Sequence, residues 1–159
     1  MKRLVMWLAM WAGSFGPAFG IATAQPILPP HDAAGAWSYV CENFDYDCTD
    51  LQPPAIEWVD ILFSGNGNPA YGGYNGTDAI LLSTYMLRVA DPVFTDSVLA
   101  HEMAHYIDVQ RGLTVLPFTQ ENVCASELRA WRVGNAYVLV HGRPDLVDYS
   151  WFERYGCFQ

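Results

Sequence analysis

Residues 101–105 read His-Glu-Met-Ala-His. On a helix, positions i and i+4 stand one turn apart on the same face, so both imidazoles can reach one metal ion. The glutamate beside the first histidine then points into the same space, where it can serve as a general base. A catalytic zinc needs three protein ligands and one open position, because it must lower the pKa of a water toward ~7 and still leave it exposed to substrate. His101 and His105 supply two ligands, and the third must come from another element.

Glu127 is the candidate. It follows His105 by 22 residues, in the string Cys124-Ala125-Ser126-Glu127-Leu128-Arg129-Ala130. A glutamate facing inward among apolar neighbours needs a compensating cation, and zinc is the simplest one. The competing reading is an ordinary ion pair with Arg129 or Arg132. Asp108 is the rival ligand, but at a rise of ~1.5 Å per residue it lies about 10 Å along the axis from His101. It fits better as the acceptor of an imidazole N–H, fixing the tautomer that presents the other nitrogen to the metal. The alternative for Asp108 is a solvated carboxylate near the helix end. Attack on a carbonyl also calls for an oxyanion donor besides the metal. His141, Tyr149, Tyr137 and Tyr155 are candidates, none backed by a motif, and aromatic residues at helical spacing are more often core. His141, beside Gly142, also reads as a helix-terminal residue.

The run His101-Glu102-Met103-Ala104-His105-Tyr106-Ile107-Asp108, followed by Cys124 to Ala130, resembles the gluzincin class of zinc metallopeptidases. Its local pattern is most similar to the mitochondrial peptidases that process an ATP synthase subunit, over roughly residues 95–135. The resemblance implies an α+β fold: a small zincin-like domain with a short sheet packed on the active-site helix and a second, ligand-bearing helix. It implies zinc on His101, His105 and Glu127, with Glu102 activating water for peptide-bond hydrolysis. It also implies a peptide or protein substrate extended along an exposed strand edge, which position assigns to Ala79–Tyr85. The chain has its own N-terminal half and carries an export signal, so neither the mitochondrial substrate nor the physiological role carries over.

Several elements must position these residues. Asp91 as N-cap and Pro92 at the first helical position open a helix that runs to about Arg111, with Gly112 as its stop. Leu99, Met103, Tyr106, Ile107 and Gln110 form its core side, and His101, Glu102, His105 and Asp108 an adjoining one. Thr119 caps the helix that carries Glu127, and Asp32 caps a short helix through Val40. Alternating apolar and acidic residues make 55–61 a strand. The Gly- and Asn-rich stretch from Ser64 to Gly76 reads as turns. Residues 79–86 form a second strand, and Pro144-Asp145 starts a last amphipathic segment stopped by Gly156.

Lys2 and Arg3 precede an apolar run from Leu4 to Trp11 that ends at the small-x-small site Ala22-Thr23-Ala24. This reads as a secretory signal peptide over residues 1–24, leaving 25–159 as one domain in the periplasm or outside the cell. The apolar run is far shorter than the roughly 20 residues that a bilayer-spanning helix needs, so no stable membrane span follows cleavage. Without the leader, 6 basic residues face 17 acidic ones, a net charge of −11, which argues against a nucleic-acid partner. Cys41, Cys48, Cys124 and Cys157 all follow the leader, and an oxidising compartment favours Cys41–Cys48 and Cys124–Cys157 disulfides over a Cys-rich metal site. The leading expectation is therefore an exported zinc peptidase. The alternatives are a non-catalytic zinc-containing binding module of the cell envelope, or a metal-free protein in which the motif is coincidence.

Overall fold

The computed structural model describes residues 32–63, 67, 69–89, 91–114, 119–144 and 157. The expected leader, the segment after Pro144 and the candidates Tyr149 and Tyr155 lie outside these residues. The fold is α+β: three main helices with a small mixed sheet.

Helix α1 (Ala33–Asn43) begins at Asp32, whose carboxylate accepts the Gly35 N–H at 2.7 Å. It buries Ala36 and Val40 and leads into the loop closed by the Cys41–Cys48 disulfide. Strands β1 (Ala55–Val59), β4 (Gly72–Tyr74) and β5 (Ala79–Ser83) make one sheet in the order β1-β5-β4. β1 runs parallel to β5 and β4 runs antiparallel to it. Strands β2 (Leu62–Phe63) and β3 (Pro69–Ala70) form a separate antiparallel pair.

Two expectations are corrected here. Residues 79–85 are not an exposed edge: β5 is the central strand, paired on both sides and buried along its whole length. The run Ala79-Ile80-Leu81-Leu82 lacks polar alternation because both of its faces are covered. The strand also stops at Ser83, and Met86 opens the short helix α2 (Met86–Val89) with its side chain fully buried. The edge strands are β1 and β4, and β4 comes from the stretch read as turns.

Helix α3 (Pro92–Gln110) is the axis of the molecule, packed against α1, β4, β5 and helix α4 (Gln120–Val140). The Asp91 carboxylate accepts the Phe94 N–H at 3.0 Å. At the other end Gly112 takes φ +67, so that Leu113 N–H reaches the Asp108 carbonyl and Gly112 N–H that of Val109. This left-handed residue satisfies carbonyls that the helix end would leave open. Because α3 is enclosed, every residue from Leu99 to Asp108 is buried, polar and apolar alike. The one-sided core expected of it does not hold, and Gln110 is exposed. α4 begins at Thr119, whose hydroxyl accepts the Asn122 N–H. Near its start Cys124 is bonded to Cys157, and no cysteine is left free.

Gly134 is what lets α3 and α4 approach beside His101. A Cβ there would stand 3.2 Å from the Ser97 carbonyl oxygen and 3.6 Å from His101 Cβ. Glycine inside a helix costs up to about 1 kcal/mol relative to alanine, a cost offset here by the close contact it permits. Gly134→Val should force the helices apart and destabilise the fold by about 1–3 kcal/mol, read as a lower denaturation midpoint. An unchanged midpoint would mean that the interface has slack at this point.

Candidate metal centre

One turn of α3 carries His101, Glu102 and His105, and α4 brings Glu127 across to them. His101 Nε2 lies 3.1 Å from His105 Nε2, and the Glu127 carboxylate oxygens lie 3.5 Å from the first and 3.4 Å from the second. The three side chains form a buried group that can hold a metal ion. Ligands ~2.0–2.1 Å from a tetrahedral centre stand roughly 3.3 Å apart, so the three observed spacings suit one ion. Glu102 Oε2 has no hydrogen-bond partner among the described residues, and Glu127 Oε2 has only the distant His101 Nε2 at 3.5 Å. Buried carboxylate oxygens so poorly partnered beside a ligand set are what a cation and its bound water would answer.

The competing reading of Glu127 as an ion pair with arginine fails. Arg129 is spent on Asp108, with Nη2 2.6 Å from Oδ2, and Arg132 is exposed. Glu127 instead faces only the two histidines. Burial alone would raise its pKa, but the charge of His105 and hydrogen bonds from both histidines outweigh that and hold it well below the usual carboxylate range. For His105 burial works toward a lower pKa, and the carboxylates of Glu127, Glu102 and Asp108 overcome it, lifting the ring to about 9. His101 is pushed down by burial. Without a metal, one proton on His105 is therefore the counter-charge of the site.

Glu102 is held differently. It is 3% exposed, and burial lifts its carboxyl to about 8, with Glu127 adding to the rise while His105 and the Tyr74 backbone N–H oppose it. Strand β4 lies directly on it: a Cβ at Gly72 would meet Val98 Cγ1 at 2.8 Å and Glu102 Cγ at 3.1 Å. The Gly72-Gly73 pair marks this close approach in the sequence, although turn chemistry hid it.

The remaining candidates fall into place around this core. Asp108 is fully buried, but it does not accept from an imidazole directly: its Oδ2 lies 3.4 Å from Ser126 Oγ, and Ser126 Oγ lies 3.0 Å from His105 Nδ1. Ser126 and Trp131 were not singled out from the sequence. The Trp131 ring packs edge-on to His101 with centroids 4.4 Å apart. His141 caps the end of α4, its Nδ1–H donating to the Tyr137 carbonyl at 2.7 Å, about 21 Å along the helix axis from Glu127 at ~1.5 Å per residue. Tyr137 meets Tyr39 edge-on, stacks against His141 and donates its hydroxyl to Asp96. Neither joins the triad as an oxyanion donor.

No family model matches the chain, and neither a curated protein nor a solved structure matches it.

Glu127→Ala should lower divalent-metal content, measured by elemental analysis after purification without chelator; undiminished metal would mean that another residue completes the ligand set. The pH dependence follows from two raised values, His105 at about 9 against 6.5 and Glu102 at about 8 against 4.5. A raised group stabilises in full below its unfolded value, and that contribution is lost as pH rises through the folded one. The melting temperature of the metal-free protein should thus fall between pH 6.5 and 9. Over the same range added metal should protect more strongly, since its ligands must be deprotonated to bind. A flat metal-free profile would contradict the assignment.

Proposed function

We propose that the chain is an exported zinc-dependent peptidase of the gluzincin kind, with zinc held by His101, His105 and Glu127 and with Glu102 as general base. The observation that carries the reading is the carboxylate of Glu102 buried beside three ligand atoms that lie within 4.8 Å of one another. A purely structural zinc site closes all four positions with protein ligands and has no use for a base. Here no thiolate is free, and the described residues offer three ligands.

Zinc, when bound, would polarise a peptide carbonyl and lower the pKa of a water toward ~7. Glu102 would take a proton at its carboxylate from a water as the water oxygen adds to the carbonyl carbon, and would return it to the amine nitrogen as the C–N bond breaks. Burial lifts this carboxyl toward neutrality, where a group can both accept and return a proton, while the charge of a nearby cation keeps it ionised at rest. An extended substrate is best matched to the edge strand β4, which lies against Glu102; backbone pairing there gives affinity and side-chain pockets give preference.

Export is supported by the two disulfides, which fit an oxidising compartment, together with the leader read from the sequence. Among the described residues no helix is long and apolar enough to cross a membrane.

Glu102→Gln tests the reading because it keeps shape and removes the base. It should retain zinc and lose at least about 100-fold of the cleavage of an unbiased peptide library, the lower end of what acid–base catalysis contributes. Equal cleavage by the variant would overturn the role of Glu102. Stoichiometric zinc with no cleavage by the unsubstituted protein would favour the binding module.

A further inference from the structure

The two ring nitrogens of His105 face opposite ways. Nε2 looks into the ligand set, 3.1 Å from His101 Nε2, and Nδ1 looks out of it toward Ser126 Oγ at 3.0 Å. Ser126 is 1% exposed and precedes Glu127 on α4, so one turn of that helix offers a ligand and a neighbour to the other ligand. Behind Ser126 stands Asp108, whose Oδ2 lies 3.4 Å from the hydroxyl. That same oxygen takes hydrogen bonds from Arg129 Nε at 3.0 Å and Nη2 at 2.6 Å.

The direction of this chain follows from proton counting. Asp108, bound by a guanidinium, is a carboxylate and can only accept. Ser126 has one proton, which must therefore go to Asp108, leaving its lone pairs toward His105. The only arrangement without opposed lone pairs puts a proton on His105 Nδ1. The lone pair of the neutral ring then sits on Nε2, the atom among the ligands. His101 has no such side-chain relay: its ring meets the Ala130 backbone and packs edge-on against Trp131.

We infer that Ser126 is a positioning residue that selects the Nδ1–H tautomer of His105, through a relay Arg129, Asp108, Ser126, His105 that crosses the α3–α4 interface. The inference rests on the proposed metal centre. It assigns a role to a residue that touches neither metal nor substrate. It also accounts for a fully buried aspartate three residues past His105 and for its arginine partner two residues past Glu127.

Zinc affinity of the full chain, measured by competition with a chelator, separates the outcomes when Ser126→Ala and Ser126→Thr are compared with the parent. Ala should lower affinity about 10- to 100-fold, the range that such supporting hydrogen bonds command, while Thr, which keeps the hydroxyl, should restore most of it. Circular dichroism of the metal-free forms should be unchanged, which a folding defect would not allow. The His105 Nδ1–H resonance of the zinc-loaded protein should be present and slow to exchange in the parent and Thr forms, and fast to exchange in Ala. Parental affinity in Ser126→Ala would overturn the relay and leave the metal centre standing. An Nε2–H tautomer at His105 in the unsubstituted zinc-loaded protein would overturn the relay without needing any variant to fold. No zinc bound by the parent would overturn the metal centre itself, and the relay with it.

Discussion

A carboxylate buried between two helices must meet a positive charge, and at Glu127 the fold leaves a narrow choice. The side chain is 1% exposed, and removing an ion from water costs several kcal/mol unless a partner replaces the hydration. The nearest arginine is bound to Asp108, so the burden falls on the two histidines and on whatever cation they can hold with it. Other features of the α3–α4 interface serve that arrangement. Gly134 brings the helices close beside His101, and Ser126 orients the far side of His105.

The polar cluster changes what α3 is. A helix with one wet face could present ligands from that face and keep its core behind them. α3 is instead enclosed, with Leu99, Met103 and Ile107 fully buried and the metal group equally so on another side. Among the described residues, its buried polar atoms meet neighbouring side chains and the β4 backbone, and the triad can hold a cation between them. The low dielectric that makes each charge expensive also strengthens every interaction between them.

What could be read from the chain divides along the reach of each interaction. Helix ends depend on residues within a turn of one another, so Asp91, Pro92, Gly112 and Thr119 announced them. Glu127 was legible from chemistry, since an inward glutamate near two histidines demands a cation. Strand order was not, because whether 79–83 is an edge depends on which distant segments pair with it, and the unbroken apolar run was the one local clue. β4 was hidden by its own glycines, which suit a turn as well as a close approach to Glu102. Ser126 was hidden for a simpler reason: a small residue inside a helix carries no pattern until its neighbours across the interface are known.

The ligand set and the Asp108 relay all fall between residues 101 and 129, on two consecutive helices, whereas β4 arrives from about thirty residues upstream as part of a sheet whose parallel strands are themselves separated in the chain. His105 meets Glu127 across 22 residues and Ala55 pairs with Ala79 across 24, so the helical hairpin and the parallel pair close loops of similar size at similar entropic cost. The helical hairpin nevertheless carries all three ligand atoms within itself, with no residue of the sheet among them. The capacity to hold a cation thus resides in two helices alone, and the sheet reaches the centre through β4 beside Glu102. A change in the sheet can therefore alter what surrounds Glu102 while leaving the three ligand atoms where they stand.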